Sequence, residues 1–216
     1  MSKTWLKSAK VFSNIFSPHH LCLIMVLLWA ICGVMPLPYF AFLRWVPIVQ
    51  LIILIVLTIV YPVVSIHLYR RMNRWPATAL CKRENRYMPY LLTLLSYITC
   101  QILFHFLYAP FPLLVLLNIA VITIFLCYII NFLWKISAYM AGCGAFVGVI
   151  FAIGFSGLAN GVNMLWLICL SLLISGALGT IRLIFHVHSL AQVLIGFLVG
   201  LISSWLGLLT IACYLL

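Results

Sequence analysis

Long apolar runs, separated by short polar or turn-rich breaks, make up most of the chain. A transmembrane helix needs roughly 20 consecutive apolar residues to cross a hydrocarbon core of roughly 30 Å. By that measure the sequence predicts seven spans, at residues 21–40, 46–67, 90–108, 112–133, 137–155, 162–179 and 189–214. The pattern therefore predicts an all-α fold, a polytopic transmembrane helix bundle of about seven spans that forms one membrane domain over residues 1–216.

Composition agrees with this prediction, since 67% of the residues are apolar and only 6% are charged, which is far from the range of soluble globular chains. The lysines before the first apolar run, Lys3, Lys7 and Lys10, would also suit a signal peptide. The length of that run, its prolines and the lack of a small-residue cleavage site favour a span instead. The eight cysteines show no CxxC spacing, so we expect apolar core residues and predict no metal or cofactor.

The basic residues are distributed unevenly about the predicted spans. If the spans alternate in direction, all of the twelve lysines and arginines except Arg44 lie on one side of the membrane. The positive-inside rule makes that side cytoplasmic. Orientation and attraction to anionic headgroups therefore account for the net charge of +11. We predict no nucleic-acid binding, because no soluble surface studded with aromatic residues is present to support it.

Three short polar clusters fall at span boundaries on the basic side of the membrane. They are "KRENRYMP" at 82–89, "WKISAYMAG" at 134–142 and "IRLIFHVHSLAQ" at 181–192. Ionisable side chains at membrane depth are costly, so such residues are candidates for a functional site. Because all three clusters share one boundary, we expect a single pocket to gather them.

The third cluster carries residues suited to phosphoryl transfer. His188 and Gln192 are four residues apart, so they share one face of the last helix and the amide can hydrogen-bond the imidazole. Arg182 lies six residues before His188 and can converge on it only through a turn near the membrane surface. A guanidinium neutralises phosphate oxygens while an imidazole nitrogen attacks phosphorus to form a phosphohistidine. His186 is two positions from His188, and we expect it to be structural or interfacial.

The other two clusters offer further ligands for an anion. Ser137 precedes a predicted helix and is placed to cap it, and a helix amino terminus with a nearby ammonium group, here Lys135, is a good anion site. Lys82, Arg83 and Arg86 in the first cluster are additional candidate phosphate ligands. Taken singly, each of these residues would also suit an interfacial or snorkelling role, but the joint spacing of the clusters favours a shared site.

Together the clusters resemble the three signature motifs of the membrane type 2 phosphatidic acid phosphatase family. Those motifs are a lysine with six residues between it and Arg-Pro, then Pro-Ser-Gly-His, then Ser-Arg followed by a histidine and an aspartate. The resemblance covers about residues 80–205, and Arg182, His188 and the GxxxG downstream match the third motif in spacing. It implies a six-helix core and metal-independent dephosphorylation of a lipid phosphate or pyrophosphate. It also implies that His188 is the nucleophile and that Arg182 and Ser137 bind phosphate.

Several positions depart from the motifs of that family. The general-acid histidine falls on Tyr139, the orienting aspartate falls on Gln192, and Met88 replaces the arginine before proline, while Lys82 is one residue off the expected spacing. Three further motif positions also differ, namely Ile136, Ala138 and Ile181. A positioned acid contributes roughly 10²- to 10⁴-fold, and replacing the aspartate of a hydrolase triad costs on the order of 10⁴. The departures therefore predict a slow enzyme.

Two functional classes follow from these residues. The first is a lipid phosphate or pyrophosphate phosphatase with a phosphohistidine intermediate, in which Lys82, Arg83 or Lys135 could replace the lost proton donor. The second is a non-catalytic relative that binds anionic phospholipid or assists a membrane partner. A transporter is disfavoured because the charged groups lie at one boundary and not at mid-membrane. The compactness of the chain favours a bacterial inner membrane. The distribution of basic residues predicts a pocket that faces the cytoplasm, although the known bacterial sites of the family face outward.

Overall fold

A computed structural model describes residues 3–31, 46–156 and 163–215 of the chain. Every regular element in these ranges is a helix, which confirms the all-α prediction. The α-helices are α1 (Lys3–Ile15), α2 (Pro18–Ile31), α3 (Val46–Ile55), α4 (Tyr61–Met72), α5 (Tyr87–Phe106), α6 (Phe111–Leu133), α7 (Ala138–Ser156), α8 (Met164–Ile184) and α9 (Leu190–Leu215). A π-helical segment, Val56–Val60, joins α3 to α4, and two 3₁₀ helices, Ala77–Cys81 and Glu84–Arg86, precede α5.

The helices are long and apolar enough for a multi-pass membrane protein. Within the described ranges, five stretches pass by length and composition: Ile48–Met72, Glu84–Phe106, Phe111–Leu133, Met164–Ile184 and Leu190–Leu209. They correspond to five of the seven predicted spans. The predicted span at 137–155 is the shorter apolar helix Ala138–Gly154. The end of the predicted span at 21–40, together with Arg44, lies outside the described residues.

The first two helices form a bent pair. Lys7–Ile15 and Pro18–Leu28 meet at an angle of 60° and would together be long enough for one more span. Phe12 of α1 and Phe16, which directly follows α1, pack beside a buried cluster of side chains from α2, α7, α8 and α9. This packing anchors α1 against the end of the bundle that carries the polar clusters.

Helices α7 and α9 cross at very short range because glycines line their contact. A β-carbon at Gly144 would overlap the backbone oxygen of Phe197, and one at Gly200 would overlap the backbone oxygen of Ala141. Small residues allow helix backbones to approach closely in a membrane, where lipid offers no hydrophobic drive for association. The close crossing fixes the start of α9, and with it the third polar cluster, beside the amino terminus of α7.

The π-helical segment holds α5 in place through its backbone carbonyls. A π turn departs from the α-helical hydrogen-bond pattern and leaves carbonyl oxygens accessible to other donors. Ser96 Oγ donates to Leu57 O, and Tyr97 Oη donates to Thr58 O at 3.3 Å. The two bonds tie the middle of α5 to Val56–Val60, and they orient the Tyr97 ring in the interior of the bundle.

Candidate functional site

The three polar clusters meet at one end of the helix bundle. Arg86 Nη1 donates to Ile136 O at 3.0 Å, which joins the first cluster to the second. Lys135 Nζ donates to Val187 O at 2.6 Å, which joins the second cluster to the third. The structure thus brings the three segments together, in the arrangement expected from their common membrane boundary.

A cavity of about 470 Å³ begins where these clusters meet. Its polar end is lined by side chains from all three clusters: Arg86, Tyr139, Arg182 and His188. The remainder is lined mainly by apolar side chains of α2, α5, α6 and α7, which lie deeper in the bundle. The cavity therefore combines a charged head with a hydrophobic body.

His188 is buried in the loop between α8 and α9, and its side chain is 8% exposed. Its Nδ1 lies 3.1 Å from Gln192 Oε1, and that same oxygen accepts the backbone N–H of Ser189 at 3.3 Å. Because a backbone N–H can only donate, this contact identifies the amide atom as oxygen, and Nδ1 of His188 must carry the hydrogen. Nε2 is therefore the unprotonated nitrogen of the neutral ring, as a nucleophile requires.

The surroundings of His188 keep its ring neutral. Burial lowers the pKa of His188 from its usual 6.5 to about 3, and the nearby positive charges of Arg86, Lys135 and Arg182 act in the same direction. The hydrogen bond to Gln192 opposes this lowering, with an effect smaller than that of burial or of the charge on Arg86. Burial and the neighbouring cations both disfavour a positive charge on the His188 ring. At neutral pH the imidazole is thus uncharged and has a free lone pair.

Arg182 lies over an aromatic ring and keeps one donor unused. Its guanidinium carbon is 3.5 Å from the centroid of the Tyr139 ring, a cation–π contact. Its Nη2 donates to Ser13 Oγ of α1. Among the described residues, the buried Nε of Arg182 has no hydrogen-bond partner. A buried donor without a partner is costly, and the rest of the Arg182 side chain is partly exposed and lines the cavity, so this arginine is suited to an anion that enters it.

A Schellman turn at the end of α8 brings Arg182 and His188 to the same cavity. The N–H of His186 donates to Leu183 O at 2.9 Å, and the N–H of Val187 donates to Arg182 O at 3.3 Å. His186 has a φ of 51°, the left-handed conformation that ends such a helix. Its side chain is exposed. The turn that the six-residue spacing requires is therefore present, and His186 has a structural position in it.

The second cluster forms the amino terminus of α7. Ser137 caps this helix, because its Oγ accepts the N–H of Met140 at 3.5 Å and its carbonyl accepts the N–H of Ala141 at 3.0 Å. Ser137 is fully buried and does not line the cavity, whereas Ala138 and Tyr139 of the first helical turn do. The positive end of the α7 dipole thus lies at the cavity head.

Several residues predicted as phosphate ligands lie outside the cavity wall. Lys82 is exposed, and Arg83 Nη1 donates to Leu133 O at 2.7 Å. Lys135 holds the loop before α9 through Val187, and Gln192 lies behind His188. Of the first cluster, Arg86 is the cation that lines the cavity. Only some of the site residues predicted from the sequence therefore line the cavity head.

His19 and Tyr90 line the cavity but have no role in the sequence-based prediction. His19 lies at the start of α2, directly after the bend that follows α1, and Tyr90 lies in the first turn of α5. The signal for His19 was its place after Ser-Pro, a helix start on the basic side of the membrane. That signal was insufficient, because a helix start does not show which part of the bundle a side chain beside it will face.

The cavity head has no negative partner from the protein. Glu84 is the single acidic residue of the sequence, and its side chain is exposed and does not line the cavity. Two arginines therefore lie beside a neutral imidazole with no carboxylate to balance them. Within the described ranges, no group of three histidine, cysteine or carboxylate side chains could hold a metal ion.

The chain matches no protein-family model, no curated protein and no solved structure.

Proposed function

We propose that this protein is a membrane-embedded lipid phosphate or pyrophosphate phosphatase of slow turnover, with a phosphohistidine intermediate. The observation that carries the proposal is the uncompensated pair of arginines, Arg86 and Arg182, beside the buried and oriented imidazole of His188. A phosphate group supplies the negative charge that the protein lacks, and an apolar body below it suits a lipid. The resemblance to the membrane type 2 phosphatidic acid phosphatases supports the same assignment.

The reaction follows from the orientation of the ring. Nε2 of His188 attacks phosphorus, the bond from phosphorus to the lipid oxygen breaks, and that oxygen leaves with the electron pair and takes a proton from solvent water, which is returned to solvent when a second water attacks. Water then attacks the phosphohistidine, which releases inorganic phosphate and restores the imidazole. Arg86 and Arg182 neutralise the phosphate oxygens in both steps.

Slow turnover follows from two side chains. Gln192 orients Nδ1–H of His188 but brings no negative charge to stabilise the cationic ring that forms, a role for which the aspartate of a hydrolase triad is worth on the order of 10⁴. Tyr139 occupies the position of the family's acid, and its ring lies against Arg182. A phenol with an ordinary pKa near 10 is a poor donor to a leaving alkoxide at neutral pH.

A second candidate function is binding of an anionic phospholipid without hydrolysis. The stacking of Tyr139 on Arg182 favours it, because the side chain at the acid position packs against a cation. In this function the same arginines hold the headgroup, and His188 is a neutral wall of the site. The protein would then act by presenting or retaining a lipid for a membrane partner.

Phosphate release by the purified protein, with a panel of lipid phosphates, separates the two functions. We expect slow release from the natural protein, none from His188→Ala, and unchanged release from His186→Asn, which alters the exposed neighbouring histidine. Tyr139→His should raise the rate by about tenfold or more, since a neutral-pKa donor is worth ~10²-fold or more. If neither the natural protein nor Tyr139→His releases phosphate, but lipid binding depends on Arg182, the protein is a binder.

We further propose that the cavity opens on the cytoplasmic side of a bacterial inner membrane. The support is the collection of basic residues at the cavity end of the bundle, on the side that the positive-inside rule makes cytoplasmic. A reporter inserted in the loop at 69–89 should be accessible from the cytoplasm. An outward location of that loop would instead give the orientation usual for bacterial members of the family.

A further inference from the structure

We infer that the cavity holds a lipid phosphate with a single hydrocarbon chain of about 12 to 14 carbons. This inference rests on the proposed function, because it takes the phosphate to lie at the Arg182 end of the cavity. It adds the number and length of the chains, which the charged head alone does not specify.

The length of the cavity can be measured along α7. The lining residues on this helix include Ala138, Gly142, Ala145 and Val149, a spacing of three and four that keeps them on one helix face. From Ala138 to Val149 the helix rises about 16 Å at ~1.5 Å per residue. An extended alkyl chain advances about 1.25 Å per carbon, given C–C bonds of ~1.52 Å at ~111°. A chain of about 13 carbons spans this distance.

The cavity volume gives a similar size by a separate route. An apolar protein cavity of about 150 Å³ holds the six carbons of benzene, or about 25 Å³ for each heavy atom. A cavity of about 470 Å³ therefore holds about 19 heavy atoms. Five of them form the phosphate, which leaves about 14 for the chain. A phosphatidate with two full-length chains has more than twice as many heavy atoms, so it does not fit.

Two threonines contribute polar groups to the walls of the hydrophobic body. Thr93 Oγ1 donates to Pro89 O at 2.8 Å, and Thr123 Oγ1 donates to Ile119 O at 2.7 Å. Each hydroxyl is thus satisfied by its own helix. The threonines add no unmet polar group to the wall, so an alkyl chain can replace water there without loss of hydrogen bonds.

Tightly packed residues form the floor of the cavity. The deepest lining side chains include Met25, Leu116 and Val149, and they belong to a buried core cluster that also contains Phe104 and Ile153. Phe104 is 0% exposed. A longer chain that ran on into this core would have to displace packed side chains, which is costly.

Cys81 gives a direct measure of cavity occupancy. It lines the cavity and is an exposed free thiol, so a charged thiol reagent should label it and a bound ligand should slow the labelling. The protein is placed in nanodiscs that contain n-alkyl phosphates of 8 to 18 carbons, each at the same mole fraction in the bilayer. Cys81→Ser gives the background from other thiols.

We expect the strongest protection of Cys81 from labelling with chains of 12 to 14 carbons. Protection should be at least about tenfold weaker with 8 carbons, because a void remains, and with 18 carbons, because the chain overfills the cavity. Two-chain phosphatidate should protect as poorly as the 18-carbon ligand. Ala145→Leu, which adds three carbons to the wall, should move the optimum to shorter chains, as should Ala120→Leu from α6. Ala177→Leu, the same change at an exposed position of α8, should leave the optimum unchanged.

Protection that does not vary with chain length, or equal protection by phosphatidate, would overturn the inference of a single chain. Arg182→Gln separates this failure from failure of the proposed function. If Arg182→Gln weakens all ligands equally while no optimum exists, the phosphate site stands and the chain inference is wrong. If an optimum exists and Arg182→Gln has no effect, the chain site stands and the phosphate assignment is wrong.

Discussion

The protonation of His188 makes a quantitative prediction for the pH dependence of stability. In the unfolded chain this histidine takes up a proton near its usual pKa of 6.5, whereas in the folded protein the pKa is lowered to about 3. Between these two values the unfolded state binds more protons, so the free energy of unfolding falls as the pH falls. Stability from this residue is thus complete above 6.5 and is lost progressively towards 3.

From about pH 7.5 to about pH 5 the contribution of His188 to the free energy of unfolding falls by about 2 kcal/mol, because each pH unit below the pKa of the unfolded chain costs about 1.36 kcal/mol. Reversible unfolding of the purified protein at a series of pH values gives the total pH dependence. His188→Gln removes the titrating group, so its pH dependence should be smaller by about 2 kcal/mol over that range. His186→Asn is the matched control, because asparagine tolerates the left-handed conformation and the side chain is exposed.

Nitrogen NMR of labelled histidine tests the same reasoning on the ring itself. At about pH 5 an unperturbed histidine is almost fully cationic, but His188 should be neutral, with its proton on Nδ1. A bound n-dodecyl phosphate should raise the pKa of His188, because the negative charge of the phosphate offsets the positive charges of the arginines. A midpoint near 6.5 in the free protein, or a proton on Nε2, would refute the geometry proposed for the nucleophile.

Three further predictions follow from the packing and the charges. Gly144→Ala should destabilise the protein by about 1–3 kcal/mol through overpacking against α9. Gly176→Ala, with no atom near its β-carbon, should be neutral or stabilising by up to about 1 kcal/mol. Thermal unfolding measures the stability of both variants. Arg86→Gln should weaken n-dodecyl phosphate binding by about tenfold or more, and Lys82→Gln should change it less than about twofold; equal effects would contradict the placement of these cations. Ser13→Ala should cost about 1 kcal/mol of stability through the lost bond to Arg182.

The sequence was most informative where periodicity and hydropathy alone determine structure. Apolar length predicted the helices, because it follows from regular helix geometry. The sequence also predicted the hydrogen bond between His188 and Gln192, but it placed both residues on one face of the last helix, whereas His188 lies in the loop before that helix, which begins at Leu190. The common boundary of the polar clusters predicted their convergence. These predictions depend on local geometry and on the bilayer, which impose the same constraints on any chain.

The wall of the cavity could not be predicted in the same way, because it depends on how loops turn. Lys82 and Arg86 are close in sequence and equal in charge, yet the short helices Ala77–Cys81 and Glu84–Arg86 leave one exposed and direct the other inward. His19 lines the cavity from a position directly after the 60° bend between α1 and α2. No hydrophobic period encodes either feature.

The lack of a carboxylate beside Arg86 and Arg182 affects how an anion would bind. In the described structure their partners are backbone carbonyls, the hydroxyl of Ser13 and the face of an aromatic ring, all of which carry no net charge. An incoming phosphate therefore ruptures no ion pair, and the groups that hold the guanidinium planes can stay in place when it arrives. The electrostatic cost of binding is then mainly the dehydration of the phosphate and of the two partly exposed guanidinium groups, with little reorganisation of the protein. The site is therefore preorganised for an anion and responds weakly to a neutral lipid.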